Sequence, residues 1–241
     1  PYTLQVGSTY DISLVATIIA TAQSASATVQ VFVQQGDVVS VVALGTSRTV
    51  RTGGSLTIDA SGSFDEDEID VTGHRAGLVY SWSCAQVQPV YVQNCSAVFA
   101  EASDGQNLPM YSAIARANTE GVVVQVSMFL LDTALARSAE SVITITVLPS
   151  LSPVVTVSSN VPSTAIFNRN RELQLTGVID MPSDFNGTAV WSVDDATNFD
   201  LDTAASSPLL VRFTPPYAFT SNTIYLALRA NMLPGRSTLT S

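Results

Sequence analysis

The chain has 241 residues, and its 20 acidic residues outnumber its 10 basic residues, all arginine, for a net charge of −10. Phosphate binding needs clustered positive charge, so this balance argues against nucleic acid and against an anionic membrane surface as partners. Hydrophobic residues make up 46% of the chain, which allows a folded core, but no run of about 20 apolar residues predicts membrane insertion.

The first 35 residues contain two alternating segments, Tyr10–Thr17 and Ser26–Val33, separated by a turn of small residues. Alternation of apolar and polar residues with a period of two predicts β-strands. The chain begins at Pro1 rather than Met, so we expect an internal piece of a longer protein. Residues 1–35 are then predicted to be the last two strands of a preceding β-sandwich.

Residues 36–149 repeat that layout at their end and add strands ahead of it. The segments Val122–Asp132 and Ser141–Val147 form a second closing pair, 114 residues after the first, which is a plausible sandwich length. A strand that starts at Leu56 precedes Tyr80-Ser81-Trp82-Ser83, and we expect Trp82 to fill the core of this unit. The range is therefore predicted to be one complete β-sandwich.

Residues 150–241 repeat the opening half of that unit, with a strand at Leu173–Gly177 followed by Trp191 in a second strand. We expect Trp191 to fill a core as well, and the unit to be truncated before its final strand is complete. Short proline-bearing linkers, such as residues 148–153, favour a rod of domains over a loose chain. The sequence thus predicts an all-β fold of tandem immunoglobulin- or fibronectin-III-like β-sandwiches.

Cys84 and Cys95 are the two cysteines of the chain, 11 residues apart. In an oxidising compartment we expect a disulfide between them, and two buried thiols are the alternative in a reducing one. Two tripeptides match the N-glycosylation pattern, and their acceptors are Asn94 and Asn186. Asn186 stands in an Asn-Gly turn and is the better candidate.

The densest run of charge is Asp65-Glu66-Asp67-Glu68-Ile69-Asp70. Carboxylates spaced by two residues suit a hard cation, so Asp65, Asp67 and Asp70 are candidate Ca²⁺ ligands, with a solvated loop as the alternative. Catalysis has little support, because His74 is the one histidine and the sequence holds neither a nucleophile elbow nor a glycine-rich phosphate loop. A triad built on His74 would need a serine and a carboxylate beside it.

The middle unit resembles a known family through residues 54–65, the acidic insert, residues 78–84 and the second cysteine, Cys95. This pattern looks like the receptor-for-egg-jelly (REJ) region of polycystin-1-like and egg-jelly receptor proteins, and the stretch from Asp59 to Asp65 is similar to PKD-type repeats. The resemblance implies a large extracellular stalk of sandwich domains, in which no catalytic residue is expected.

From these observations we expect an extracellular stalk or interaction module of a cell-surface protein, without enzymatic activity. We expect its task to be adhesion, ligand sensing or mechanical coupling. The expected setting is the cell surface, including a ciliary membrane. The expected partners are other modules of the same chain and a TRP-type channel subunit or an extracellular glycoprotein. The alternative is a Ca²⁺- or carbohydrate-binding module of a secreted protein or surface fibre, and no cofactor other than Ca²⁺ is expected.

Overall fold

The computed structural model describes residues 4–68, 70–103, 106–134, 136–161, 167–168, 170–181, 187–194, 199–213 and 221–229. Strands dominate these residues, accompanied by one short 3-10 helix at Gly73–Ala76 and one short helix, α1, at Leu201–Ala204. The strands are β1 (Thr9–Thr17), β2 (Ser24–Phe32), β3 (Val38–Val39), β4 (Ser47–Arg51), β5 (Ser55–Asp59), β6 (Phe64–Asp65), β7 (Leu78–Gln88), β8 (Phe99–Ala100), β9 (Met110–Ala115), β10 (Val123–Asp132), β11 (Arg137–Leu148), β12 (Val154–Ser159), β13 (Leu173–Asp180), β14 (Gly187–Val190), β15 (Leu210–Phe213) and β16 (Ser221–Leu228). The fold is all-β, as the sequence predicted.

The paired strands fall into three sets along the chain. Strands β1 and β2 pair with each other and form the N-terminal hairpin. Strands β3 to β11 pair among themselves and form the middle unit, and strands β12 to β16 form the third unit. Each named strand therefore has its ladder partners within its own set.

The N-terminal hairpin is an amphipathic ribbon. Residues directly opposite each other share a face, and the pairs Tyr10–Val31, Ile12–Val29, Leu14–Ala27 and Ala16–Ala25 place apolar side chains on one side. The other side carries mostly serine, threonine and glutamine. The apolar side is in contact with solvent, because Ile12 is 57%, Leu14 74% and Val29 58% exposed.

The middle unit is a β-sandwich with a single continuous core. One sheet has the order β4-β11-β10-β7, in which β4 runs parallel to β11 and the other neighbours are antiparallel. The second sheet has the order β5-β9-β8. Strand residues alternate between buried and exposed positions, as expected for sheets with one face on the core. Trp82 is 2% exposed at the centre of that core, 5.6 Å from the ring of Tyr111.

The third unit has a sheet of order β12-β13-β16 and a second pair, β14-β15. Leu173, Leu226 and Leu228 are buried on the inner face of the larger sheet, and Trp191 packs against them while remaining partly exposed. Gly177 permits this approach, since a Cβ there would lie 2.9 Å from Ile224 and 3.2 Å from the Trp191 ring. A larger residue at position 177 would push the indole away from the sheet.

Candidate functional site

The main polar site of the middle unit is a cluster around Arg137, the first residue of β11. Its guanidinium donates to Asp132 at 3.0 Å, to Asp67 at 2.8 Å and to Asp65. Asp132 ends β10 directly opposite Arg137 in the ladder, whereas Asp65 and Asp67 come from β6 and the turn after it. The side chains of Arg137, Asp65 and Asp132 are 13%, 4% and 5% exposed. We call these four residues the Arg137 cluster.

The electrostatics of the cluster keep its cation charged. Burial by itself lowers the pKa of Arg137, but the hydrogen bond to Asp132 and the charges of Asp65 and Asp67 outweigh it and raise that pKa. Charge-assisted hydrogen bonds of this kind are about twice as strong as neutral ones. The cluster is therefore a fixed connection between the β10–β11 turn and the acidic segment.

The same acidic segment binds the linker that enters the middle unit. Arg137 donates to the carbonyl of Gly36, and the Gly36 N–H donates to Asp67 at 3.1 Å. The Asp37 N–H donates to Glu66 at 2.9 Å. Position 36 is closely packed, because a Cβ there would lie 2.8 Å from the Cβ of Glu66. The acidic run thus fastens the chain at the junction between the N-terminal hairpin and the middle unit.

The predicted Ca²⁺ ligands do not converge on one point. Asp65 and Asp67 face the Arg137 guanidinium, while Asp70 is exposed and has a left-handed backbone with φ 59°. Within the described ranges, no group of three His, Cys, Asp or Glu side chains is placed to hold a metal ion. A guanidinium already occupies the position at which a cation would neutralise these carboxylates, so the geometry supports an ion-pair clasp.

A disulfide joins Cys84 of β7 to Cys95, with 5.6 Å between their Cα atoms. Between them the chain turns back on itself, and Gln86 and Val92 exchange backbone hydrogen bonds of 2.9 and 3.0 Å. The end of this loop exposes apolar side chains, since Val90 is 66%, Tyr91 67% and Val92 39% exposed. We call residues 90–92 the loop tip, a surface that the sequence analysis did not identify.

The two glycosylation candidates differ in what the structure describes. Asn94 is exposed, and its side-chain oxygen accepts hydrogen bonds from the backbone N–H and the hydroxyl of Ser96. Its neighbour Cys95 is buried, but the asparagine itself points to solvent. Asn186 lies outside the described residues.

His74 lies exposed in the 3-10 helix that precedes β7. Its Nδ1–H donates to the carbonyl of Leu78 at 3.0 Å, and its ring packs nearly perpendicular to the Tyr80 ring, with 5.2 Å between the two ring centroids. Its partners in the described part of the chain are thus a backbone carbonyl and an aromatic ring. The serine and carboxylate that a triad needs are not among them.

An ion pair connects the middle and third units. Arg51 at the end of β4 donates to Asp180 at the end of β13, and their side chains are 17% and 45% exposed. A surface cavity of about 480 Å³ lies beside the pair, lined by Gly53, Gly54 and Ser150 among others. Sequence reasoning missed both this pair and the Arg137 cluster, because their members are far apart in the chain and no local motif marks them.

The chain matches the family model described as REJ domain over residues 1–240. A comparison with curated proteins finds no match. Among the described residues there is no helix that is long and apolar enough to cross a membrane.

Solved structures show weak similarity. A nucleoside hydrolase-related hypothetical protein from Saccharophagus degradans is 21% identical over 47% of this chain and 26% of that chain, with a TM-score of 0.37. The N-terminal eight Ig domains of Down Syndrome Cell Adhesion Molecule are 8% identical over 94% of this chain and 28% of that chain, with a TM-score of 0.24. Titin domains Z1Z2, in complex with telethonin, are 11% identical over 85% of this chain and 92% of that chain, with a TM-score of 0.28. The chain spans about a quarter of the length of the first two.

Proposed function

The chain belongs to the REJ domain family, and from that premise we propose that it is a non-catalytic stalk and interaction module of a polycystin-like cell-surface protein. The observation that carries the proposal is the family match over residues 1–240. The proposed pieces are residues 1–35, 36–149 and 150–241. The first is the end of a preceding sandwich, the second a complete sandwich and the third a truncated one.

The structure supports a load-bearing role through its covalent and ionic connections. The Cys84–Cys95 disulfide braces the middle unit, and the Arg137 cluster fixes the linker that enters it. The Arg51–Asp180 pair connects it to the third unit. Such a chain transmits force between its neighbours and presents the loop tip to a partner. The proposed setting is the extracellular face of a membrane, including that of a cilium, with a TRP-type channel subunit or an extracellular glycoprotein as partner.

Secretion of the chain from a eukaryotic cell tests the proposed location. We expect a Cys84–Cys95 disulfide in the secreted protein and glycans on Asn94 and Asn186, measured by mass spectrometry before and after deglycosylation. Asn94→Gln and Asn186→Gln variants are the matched controls for each glycan. Retention inside the cell with free thiols and no glycan would contradict an extracellular role.

Pulling the chain from its ends tests the mechanical part of the proposal. We expect the middle unit to unfold in a discrete step. The 11 residues behind the disulfide would extend to roughly 36–40 Å at about 3.3–3.6 Å each. The oxidised chain should then release roughly 30–35 Å less length than the reduced chain, because the closed bond still spans the 5.6 Å between the two Cα atoms. Gradual extension without a step, in both redox states, would argue against a load-bearing stalk.

Ca²⁺ binding at Asp65, Asp67 and Asp70 remains a separate prediction. Calorimetry with Ca²⁺ tests it directly, and a Ca²⁺-dependent rise in Tm that Asp70→Asn removes would support it. Because Arg137 already pairs with two of the three carboxylates, the ion-pair clasp predicts no heat and no thermal shift. Either outcome leaves the stalk proposal in place, since that proposal does not depend on a metal.

A further inference from the structure

The loop that the disulfide closes carries both an exposed aromatic residue and a candidate glycan acceptor. Tyr91 of the loop tip is 67% exposed, and Asn94, three residues later, is exposed as well. Cys95, which follows, is 1% exposed and bonded to Cys84. Residues 84–100 include no charged side chain. The loop therefore places an apolar tip and a sugar acceptor close together on one uncharged segment.

The backbone on both sides of Tyr91 is held by Gln86. The side-chain Nε2 of Gln86 donates to the carbonyl of Val90 at 3.0 Å, and the Gln86 backbone exchanges hydrogen bonds of 2.9 and 3.0 Å with Val92. Tyr91 stands between these two anchored residues. A contact with its ring therefore costs little further conformational entropy, because the backbone that carries the ring is already ordered.

The side chain of Asn94 is held as well. Its Oδ1 accepts hydrogen bonds from the Ser96 N–H at 3.1 Å and from the Ser96 hydroxyl at 2.7 Å. Ser96 is fixed in turn by Arg116, whose Nε donates to the Ser96 carbonyl at 3.0 Å. Both bonds to Asn94 fall on its oxygen, so the amide nitrogen Nδ2 has no partner among the described residues. Nδ2 is the atom to which an N-glycan is attached, and it is left open.

The first sugar of a glycan on Asn94 is within reach of the Tyr91 ring. The chain bends at Gln93, between the two residues. Even when fully extended, three residues span at most roughly 10–11 Å, and the bend shortens that distance. The tyrosine side chain, the asparagine side chain and one pyranose ring together bridge it. The C–H groups on one face of a pyranose carry partial positive charge, so they attract the negative face of an aromatic ring.

We propose that Asn94 carries an N-glycan whose first N-acetylglucosamine packs on the ring of Tyr91 and covers the loop tip. The inference rests on the proposed extracellular role, because the modification takes place in the secretory pathway. In the transfer, Nδ2 forms a bond to the anomeric carbon of the sugar and loses one proton. The bond from that carbon to the diphosphate of a lipid-linked oligosaccharide breaks, and the lipid diphosphate leaves with the electron pair.

The packed sugar has two consequences for the loop. It shields an apolar surface, since Val90 and Tyr91 are 66% and 67% exposed without it. It also stabilises the folded middle unit, because the contact with the ring is lost when the loop unfolds. The loop tip is then open to a protein partner only in chains whose Asn94 is unmodified. Occupancy of Asn94 thus regulates the surface that the stalk presents.

Nuclear magnetic resonance of the secreted Asn186→Gln chain, with its remaining glycan trimmed to one N-acetylglucosamine, tests the contact. Protons above an aromatic face are shifted upfield by the ring current, so we expect upfield sugar protons and cross-relaxation with the Tyr91 ring. Tyr91→Ser should return the sugar shifts to those of the same chain unfolded in urea, and Tyr91→Phe should keep them upfield. Tyr225→Ser is the matched control, because Tyr225 is a tyrosine of the third unit that is 66% exposed. It should leave the sugar shifts unchanged.

Thermal unfolding gives a second measure of the same contact. Trp82 fluorescence in a Trp191→Phe background reports the Tm of the middle unit. We expect the glycosylated chain to have a higher Tm than its Asn94→Gln counterpart. The difference should disappear when both chains carry Tyr91→Ser and persist when both carry Tyr91→Phe. A difference that Tyr91→Ser leaves unchanged would overturn the packing of sugar on ring.

The outcomes separate this inference from the proposed function. A secreted, oxidised chain that carries a glycan on Asn94 without upfield sugar shifts would overturn the inference and leave the extracellular role intact. A secreted, oxidised chain with unmodified Asn94 would do the same. Retention inside the cell, with free thiols and no glycan, would overturn both.

Discussion

Replacing Arg137 with methionine tests whether the Arg137 cluster holds the middle unit together. The guanidinium is 13% exposed and faces Asp65 and Asp132, which are 4% and 5% exposed. Removing one partner of a buried ion pair leaves uncompensated charge and typically costs about 3–5 kcal/mol. The ion pair between Arg137 and Asp67 contributes less than about 1 kcal/mol to stability, because the Asp67 side chain is 29% exposed. We therefore expect Arg137→Met to lower the free energy of unfolding of the middle unit by about 3–5 kcal/mol at pH 7.

Tryptophan fluorescence during urea unfolding measures this loss in the correct unit. The chain has two tryptophans, so a Trp191→Phe background leaves Trp82 as the probe of the middle-unit core. Arg75→Met is the matched control, because Arg75 is an exposed arginine of the same unit. Surface substitutions away from buried contacts usually change stability by less than about 0.5 kcal/mol.

A rescue experiment separates lost charge pairing from lost packing. In the Arg137→Met chain, Asp65→Asn and Asp132→Asn remove the buried charges but keep the oxygens that accept the N–H groups of Asp67 and Ala134, each at 2.9 Å. We expect most of the lost stability to return, since neutral replacement of a buried ionic group is often tolerated. A loss below about 1 kcal/mol in the single variant, or no recovery in the triple variant, would refute the reasoning.

Three further predictions follow from the described contacts. Reducing the Cys84–Cys95 disulfide, or replacing both cysteines with serine, should cost about 2–3 kcal/mol in urea unfolding, since the bond closes a short loop; equal stability in both redox states would contradict this. A double-mutant cycle on Arg51 and Asp180 should give about 0.2–1 kcal/mol, because Asp180 is 45% exposed; a coupling of zero would mean no contact in solution. Burial raises the pKa of Tyr80 above that of an unfolded tyrosine, so the stability it contributes is complete below about pH 10 and declines at higher pH. In the Tyr80→Phe variant, the free energy of unfolding should therefore fall less steeply as the pH rises through this alkaline range. A slope equal to that of the unmodified chain would contradict a raised pKa at Tyr80.

The sequence predicts strands well where one face is uniformly apolar. The segments Tyr10–Thr17 and Val122–Asp132 agree with β1 and β10 to within a residue, because alternation fixes both the strand and its buried face. The sequence analysis marks the strand around Trp82 by residues 80–83 and sets no bounds for it, and β7 spans Leu78–Gln88. Its length depends on pairing with β10 along ten positions, and pairing of that kind leaves no signal in β7 itself.

Strand β4 escaped prediction for a different reason. Its inward position carries Arg48, a charged residue that is 6% exposed, so the segment does not look amphipathic. Arg48 donates to the carbonyl of Ala43, and burial lowers its pKa. The Arg137 cluster was equally invisible, because Asp65 and Arg137 are 72 residues apart and meet only after both sheets have formed. Non-local polar contacts of this kind depend on topology and not on a local motif.

The parallel pairing of β4 with β11 determines how tension passes through the middle unit. Strand β4 enters at Ser47, opposite Thr144, and β11 leaves at Leu148, opposite Arg51. Once the linker contacts of Gly36 and the β3–β6 pair have opened, a pull on the two ends slides β4 and β11 past each other in opposite directions along their length. All the rungs between them resist together in shear, instead of opening one at a time as in unzipping. The order of strands alone thus gives this unit a mechanically resistant seam between its entrance and its exit.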